Sequence, residues 1–109
     1  PTPTPDGPPL AEAAPVLIMR RQYPEGGALE RLIEASGDIV VHVVTPAGTV
    51  ESCEKVGTLF ALPVVEQTFA GGGEVVQVAR DESGALIRWV VRADGEPRGL
   101  TVLEAGRFR

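Results

Sequence analysis

Short apolar segments, separated by turns rich in glycine and proline, define the elements that this chain is expected to form. Residues 16–19 are an apolar run that ends at Arg20-Arg21, which predicts a first strand. Residues 39–45 are dense in β-branched side chains, and a more polar segment, residues 49–56, follows the turn at residues 45–48. These two segments predict a β-hairpin whose inner strand is buried.

Two other segments have the spacing of helices. After Tyr23-Pro24, which suits a first helical turn, apolar residues recur at intervals of three and four with charged residues between them. The apolar positions are Ala28, Leu29, Leu32, Ile33 and Ala35. We therefore expect an amphipathic helix of about three turns that ends at Gly37. Residues 62–69, with Pro63 in the first turn, are predicted to form a shorter second helix.

The last third of the chain has the pattern of a β-meander. The predicted strands are residues 74–80, 85–92 and 98–104. On the middle strand Ile87, Trp89 and Val91 share one face, which is expected to point into the core. No internal repeat of convincing length is evident, although the two hairpin regions share a strand–turn–strand rhythm. The predicted fold class is α+β, a small mixed or antiparallel sheet of about five strands with one or two helices packed on one face.

Length and proline distribution divide the chain into two parts. Its 109 residues are enough for one domain with one modest core. Six of the ten prolines lie within the first fifteen residues, where polyproline II geometry is favoured and no core can form. Residues 1–15 are therefore predicted to be a proline-rich linker and residues 16–109 a single α+β domain. Because the chain opens without methionine, we expect it to be processed or to be part of something longer.

The charge balance and the scarcity of metal-binding residues exclude several classes of function. Fifteen acidic side chains against ten basic ones give a formal charge of −5, which argues against nucleic acid and anionic membranes as partners. No apolar run approaches the roughly 20 residues of a spanning helix, so this segment is not expected to insert into a membrane. The chain has one cysteine and one histidine, so no disulfide framework, metal site or cofactor is expected.

The candidate catalytic groups are weak. His42 lies in the predicted hairpin opposite Ser52 and Cys53, so a nucleophile pair is geometrically conceivable. Residues inside a hairpin are held by packing, however, and no glycine elbow presents either nucleophile. A structural role is therefore predicted for His42 and Cys53, since free cysteine usually behaves as a small buried hydrophobe. The glycine triplet at residues 71–73 lacks the Lys-Ser or Lys-Thr of a phosphate loop, so the protein is predicted not to be an enzyme.

The remaining charged residues are expected to lie on solvated surfaces. Paired carboxylates fall in turns or on solvent-facing strand positions, where nothing indicates the desolvation that acid–base catalysis requires. These pairs are Glu51 with Glu54, Asp81 with Glu82, and Asp94 with Glu96. Four arginines of the meander are expected to form cross-strand salt bridges with glutamates. The arginines are Arg80, Arg88, Arg92 and Arg98, and the glutamates are Glu74, Glu96 and Glu104.

With no catalytic set, the candidate functional surface is an edge of the sheet. A small sheet leaves at least one strand unpaired on its outer side, where N–H and C=O groups can bind a partner peptide. The last predicted strand is the candidate edge, with residues Leu100, Thr101, Val102, Leu103 and Glu104. About six added hydrogen bonds at roughly 0.5–1.5 kcal/mol each would support modest affinity, which suits a transient protein contact.

One series of motifs resembles a known family. The proline-rich start is followed by Tyr23-Pro24, by the Gly-Asp-Ile-Val-Val segment of residues 37–41, and by the turn and strand of residues 46–53. In this order the chain resembles the C-terminal domain of TonB-family energy transducers, in which a Tyr-Pro pair precedes the first helix. The resemblance implies a periplasmic domain on a proline-rich stalk that is tethered upstream to the inner membrane. It also implies that a sheet edge pairs with a short segment of an outer-membrane receptor.

Two further interpretations stay open. The order αββαβββ from residue 25 onwards resembles roadblock dimerisation modules, which implies a cytoplasmic homodimer that serves a small GTPase. A hydrolase that uses Cys53 and His42 is the third hypothesis. The favoured prediction is a non-catalytic protein-binding module of the bacterial periplasm, whose partner is a protein or a peptide.

Overall fold

Eight β-strands in two antiparallel sheets form most of the computed structural model, which describes residues 7–92 and 95–107. The first sheet contains, in spatial order, β1 (Val16–Gln22), β2 (Ala28–Ile33), β3 (Asp38–Val44) and β4 (Val50–Thr58). The second contains β5 (Val64–Phe69), β6 (Val75–Arg80), β7 (Leu86–Val91) and β8 (Pro97–Glu104). A short helix, α1 (Leu10–Ala13), precedes β1, and a 3₁₀ turn (Leu59–Ala61) connects the two sheets. Each sheet is a meander, because strands that follow one another in the chain are neighbours in space.

The predicted α+β class is wrong, because both segments predicted as helices contain strands. The predicted amphipathic helix contains β2, which pairs with β1 on one side and with β3 on the other. A central strand has backbone partners on both sides and places side chains on both faces, so pairing outweighs the helix propensity of its residues. The apolar residues that fit a helical stripe are divided between the two faces of the sheet.

The predicted second helix is strand β5. Val64 and Val65 are β-branched and favour extended backbone, and β6 supplies the hydrogen-bonding partner that the isolated segment lacks. The predicted sheet of about five strands with one or two helices on one face is therefore replaced by two four-stranded sheets. In the described part of the chain the helical elements are α1, which contacts β8, and the 3₁₀ turn, and they form no layer.

The strand predictions are confirmed in three places. β1 begins at the predicted residue, the predicted hairpin is β3 with β4, and the predicted meander is β6 with β7 and β8. Ile87 and Trp89 are buried and Val91 packs against the same core, as expected for one face of β7. These segments were predictable because their alternation and turn residues agree with the tertiary pairing.

One hydrophobic core joins the two sheets. Ile33 and Ile39 from the first sheet lie in the same buried cluster as Ala79 and Ile87 from the second. Leu10 of α1 belongs to this cluster too, so the end of the predicted linker contributes to the core; residues 1–6 lie outside the described residues. The shared buried residues lie next to the middle turn of each sheet, so the two sheets contact each other at one end of their strands.

The two sheets repeat one four-strand unit. Evenly spaced glycines with positive φ lie in the three turns of each sheet, at the same relative positions. They are Gly26, Gly37 and Gly48 in the first unit, and Gly73, Gly84 and Gly95 in the second. In the middle turn of each unit the glycine N–H donates to the carbonyl three residues earlier, which belongs to Glu34 in the first and Asp81 in the second, at 2.8 Å in both. Glu34 and Asp81 therefore occupy equivalent positions.

Replacing Gly37 by alanine is expected to lower the free energy of unfolding by about 1–3 kcal/mol. Its φ of 89° lies in the left-handed region, where a residue with a side chain is strained, and an added Cβ would lie 2.6 Å from Cε2 of Phe60. Urea denaturation followed by circular dichroism measures the loss. Gly57→Ala is the matched control, because its φ is not positive and its added Cβ meets no atom within 4 Å. An equal loss of stability in both variants would show that the positive φ of Gly37 and its contact with Phe60 are not the cause.

Candidate protein-binding edge and cleft

Four strands lie at the edges of the two sheets, and two of these edges contact other parts of the chain. Beside β1, the N–H of Gly106 donates to the carbonyl of Ile18 at 2.7 Å. Beside β8, the N–H of Gly99 donates to the carbonyl of Pro8 at 3.0 Å. Within residues 7–92 and 95–107, no strand or bridge pairs with the outer sides of β4 and β5. The open edges are therefore those of the two strands that the 3₁₀ turn connects.

The two open edges differ in polarity. β4 presents Glu51, Glu54 and Lys55 to solvent, and such charges hinder pairing with a further strand. β5 has all six residues exposed and carries a single charged side chain, Glu66. The β5 edge therefore lacks the protection that β4 has.

An apolar surface follows the β5 edge. Its members are exposed by 44% to 76% of their full area, and they are Phe60, Val64, Val65 and Phe69. The ring of Phe60, in the 3₁₀ turn, also covers Gly37 in the turn between β2 and β3. Exposed aromatic and aliphatic side chains grouped in this way are typical of protein-contact surfaces. We call these four residues the β5 surface.

A cleft of about 570 Å³ opens beside the start of β5. Its walls come from the end of β4, the 3₁₀ turn and the turn between β6 and β7. Val56, Leu62, Pro63 and Val65 give it an apolar lining, and the side chains of Arg31 and Asp81 add charge. This combination can receive a side chain from a segment that lies along β5.

Asp81 is buried in this cleft and connects the two sheets. It is 1% exposed, and its Oδ2 lies 2.8 Å from Nε of Arg31, which projects from β2. The same oxygen accepts hydrogen bonds from the N–H and the Oγ of Ser83, at 2.9 and 2.5 Å. Oδ1 of Asp81 has no hydrogen-bond partner among the described residues, and Nε of Arg31 is not aligned for one. The contact with Arg31 is thus held by charge, and it fixes the turn of the second sheet on a face of the first.

The prediction that Asp81 lies on a solvated surface is wrong. The turn from Asp81 to Gly84 has the Asp-x-Ser-Gly pattern in which an Asp side chain bonds its own backbone, and this local bond is present. The burial comes from Arg31, which lies on a strand of the other sheet and which no local pattern associates with Asp81.

His42 and Cys53 are neighbours on adjacent strands. They are direct partners in the register of β3 and β4. Cys53 is exposed, so the expectation that it behaves as a small buried hydrophobe is wrong. Neither residue lines the cleft beside β5. Within the described ranges, no three or more His, Cys, Asp or Glu residues are grouped where they could hold a metal ion.

The other candidate residues are dispersed. The glycines at residues 71–73 lie in the turn that leads into β6, where the N–H of Glu74 donates to the carbonyl of Gly71 at 3.1 Å. Arg92 and Glu74 form one of the expected salt bridges, with Nε and Oε2 3.5 Å apart. Arg80 instead donates to the carbonyl of Gly84 at 3.3 Å. Asp94 lies outside the described residues.

The predicted edge residues Leu100, Thr101, Val102, Leu103 and Glu104 lie in β8, which is the last strand of the second sheet. Leu100 and Val102 pack against the core, whereas Leu103 is half exposed. The backbone contacts of Gly99 and Gly106 with other segments lie on either side of this stretch. The free part of the β8 edge is therefore shorter than that of β5.

The fold and the open edge define a small all-β module built from two four-strand units. No family model, no curated protein and no solved structure matches the chain. No helix in the described part of the chain is long and apolar enough to cross a membrane. The functional conclusion therefore rests on the geometry of the edges and faces.

Proposed function

We propose that this protein is a non-catalytic binding module that takes up an extended segment of a partner protein along the β5 edge. The observation that carries the proposal is that all six residues of β5 are exposed and its outer side pairs with no described residue. An open strand presents backbone N–H and C=O groups in the arrangement that a further strand requires. The preferred edge is thus β5 rather than the Leu100–Glu104 stretch of β8.

The β5 surface supplies the side-chain part of this recognition. Backbone pairing alone selects no sequence, because every segment offers the same groups. Val65 lies where the edge meets the cleft, and Phe69 lies at the other end of the strand. Val65 lies where the register of β5 with β6 shifts, between Val64 and Glu66, so a partner segment would contact Val65 and Phe69 through apolar residues near its two ends.

The size of the edge suggests a transient contact. A six-residue strand directs the backbone groups of about three residues outwards, and each hydrogen bond contributes roughly 0.5–1.5 kcal/mol net. Ordering a flexible segment offsets part of this gain. We therefore expect dissociation constants in the micromolar range rather than the nanomolar range.

The resemblance to TonB-family domains favours a periplasmic location, but it does not account for the observed strand arrangement. Pairing of an edge with a receptor segment in the periplasm, as in TonB-family proteins, stays a prediction. The helix that follows Tyr23-Pro24 in that family corresponds here to strand β2. The order αββαβββ, on which the roadblock resemblance depends, is not the observed order of elements. The proposal therefore uses the sheet edge alone.

Substituting Val65 by lysine is expected to weaken peptide binding at the β5 edge. Peptides selected from a random twelve-residue phage library would be titrated into the labelled full chain, and the amide shifts should concentrate in β5. A charged lysine on an edge strand opposes strand addition, so we expect affinity to fall by at least about tenfold. Val50→Lys on β4 is the matched control, because Val50 and Val65 are 53% and 54% exposed.

Two results would refute the proposal. One is a selection that enriches no peptide above background. The other is a set of binders whose shifts lie in β1, β4 or β8 and whose affinity is unchanged by Val65→Lys.

A further inference from the structure

The repeat of the four-strand unit makes one face of the second sheet equivalent to a face that is occupied in the first. In the first sheet Arg31 and Val41 face each other across β2 and β3. The equivalent pair in the second sheet is Val78 with Arg88, across β6 and β7. We call the face that carries Val78 and Arg88 the outer face of the second sheet. Its other members are Val76, Arg80, Leu86 and Val90 on the same two strands and Glu66, Thr68 and Thr101 on the neighbouring strands.

The equivalent face of the first sheet holds the turn of the following unit. Ile33 and Ile39, on the same face as Arg31, are buried in the core shared with the second sheet. Arg31 binds Asp81, which lies in the middle turn of the second unit. In this chain, therefore, the middle turn of one unit docks on the face of the unit before it.

The outer face of the second sheet is open. Hollows of about 360 and 350 Å³ lie on it, and both are lined by Val76 and Arg88. Arg88 is partly buried and forms no salt bridge or hydrogen bond in the described part of the chain, although Glu66 and Glu74 line the same hollows. Valines beside an arginine that has no ion-pair partner among the described residues can bind an apolar surface that carries a carboxylate.

The complementary element is present at the other end of the same molecule. Glu34 is the equivalent of Asp81 in the middle turn of the first unit. It is exposed, and its carboxylate has no partner within the described residues. The arginine of the receiving face lies on β2 in the first sheet, as Arg31, and across the strand pair on β7 in the second, as Arg88. Each of the two faces therefore carries an arginine that can pair with the carboxylate of a docking turn.

We propose that the outer face of the second sheet binds the first unit of a second copy of this chain, so that Glu34 of that copy meets Arg88 as Asp81 meets Arg31. Continuity with the contact between the two units and charge complementarity both favour a second copy as the occupant. Such a contact joins different surfaces of the two copies, so it extends head to tail unless the geometry closes a ring. It goes beyond the proposed peptide binding, because it uses a face and not the β5 edge.

The test is the concentration dependence of self-association of the full chain, by sedimentation velocity, with charge-reversal variants. Wild type is expected to associate at high concentration. Arg88→Glu and Glu34→Arg should each weaken association by at least about tenfold, since like charges then face each other at the contact. An equal mixture of the two variants should recover association between unlike copies, because the face of each variant then meets a turn of opposite charge on the other. Glu54→Arg, at an exposed residue of β4 that pairs with Val41 on the Arg31 face of the first sheet, is the control and should behave as wild type.

The outcomes separate this proposal from the proposed function. Arg88→Gln serves where the reversed charge prevents folding. A wild type that stays monomeric at the highest concentration tested overturns the head-to-tail contact and leaves peptide binding untouched. Association that Val65→Lys abolishes and Arg88→Glu does not also overturns it, because the β5 edge would then carry the contact. Recovery of association in the mixed sample supports it.

Discussion

Replacing Asp81 by alanine is expected to lower the free energy of unfolding by about 3–5 kcal/mol. The substitution leaves the guanidinium of Arg31, which is 12% exposed, without its buried carboxylate partner and with only the exposed Glu82 at 3.9 Å. A buried charge that loses its partner keeps the cost of its desolvation and loses the attraction that offset it. The N–H and hydroxyl of Ser83 also lose their acceptor, so the turn itself is weakened. Urea denaturation followed by fluorescence of Trp89, the single tryptophan, measures the loss.

Three further variants show whether the loss comes from the unpaired charge. Glu82→Ala is the matched control, because Oε2 of Glu82 lies 3.9 Å from the same guanidinium but its side chain is 86% exposed, so its expected change is within about 0.5 kcal/mol. Asp81→Asn keeps an acceptor for Ser83 and remains measurable if the alanine variant does not fold. The double change Arg31→Met with Asp81→Leu removes both charges and should recover most of the stability. Equal losses for Asp81→Ala and Glu82→Ala would show that the pair does not hold the sheets together.

The role of this pair also explains why the two units differ in sequence while they agree in backbone. Asp81 is buried because a unit precedes it, whereas Glu34 occupies the same turn position in the first unit and is exposed. A repeat whose neighbours contact each other in one direction needs different side chains at its ends. The glycine spacing and the turn hydrogen bonds depend on backbone conformation, so they show the repeat. The side chains hardly show it.

The parts of the fold that could be predicted are those in which local preference and tertiary pairing agree. The β3–β4 hairpin is an example, since β-branched residues, a Thr-Pro-Ala-Gly turn and the observed register all favour the same structure. Segment 28–35 is the opposite case. Its Ala, Leu, Glu and Arg residues favour a helix, and its strand state depends on β1 and β3, which lie on both sides.

The sequence predicts the kind of site, an open sheet edge, but it does not predict which strand forms that edge. That a small sheet leaves an open edge follows from its size. Which strand lies there depends on pairings between distant segments, such as Gly99 with Pro8 and Gly106 with Ile18, and these partly cover the edges of β8 and β1. The charges of β4 are visible in the sequence, but they can be interpreted as edge protection only after β4 is known to lie at an edge.

Peptide binding and self-association, as proposed, use different surfaces of the second sheet. Peptide binding uses the edge of β5, and self-association uses the outer face of the same sheet. Glu66 and Thr68 of β5 line one hollow of that face, so the two surfaces are neighbours. A partner that extends past β5 onto the outer face would compete with the second copy. Binding of a peptide confined to the edge should leave self-association unchanged.

Alanine at Ile33 or at Ile87 is expected to lower the free energy of unfolding by about 2–5 kcal/mol in each case. Both side chains are fully buried, Ile33 in the first sheet and Ile87 in the second, and both lie in the single hydrophobic cluster. Because each sheet uses this cluster as its core, neither is expected to stay folded when the other unfolds. Ile33→Ala should therefore shift the transition seen by Trp89, which belongs to the second sheet, as far as the transition seen by far-UV circular dichroism.

The coincidence of the two probes is the decisive result, since a loss of stability alone would also follow from two independent sheets. Val50→Ala, at an exposed residue of β4, is the control, with an expected change within about 0.5 kcal/mol. Ile33→Val and Ile87→Val, at about 0.5–1.5 kcal/mol each, keep the comparison measurable if the alanine variants do not fold. A Trp89 transition that Ile33→Ala leaves in place would mean that the second unit folds alone. The contact between units would then be too weak in one chain to be repeated between two.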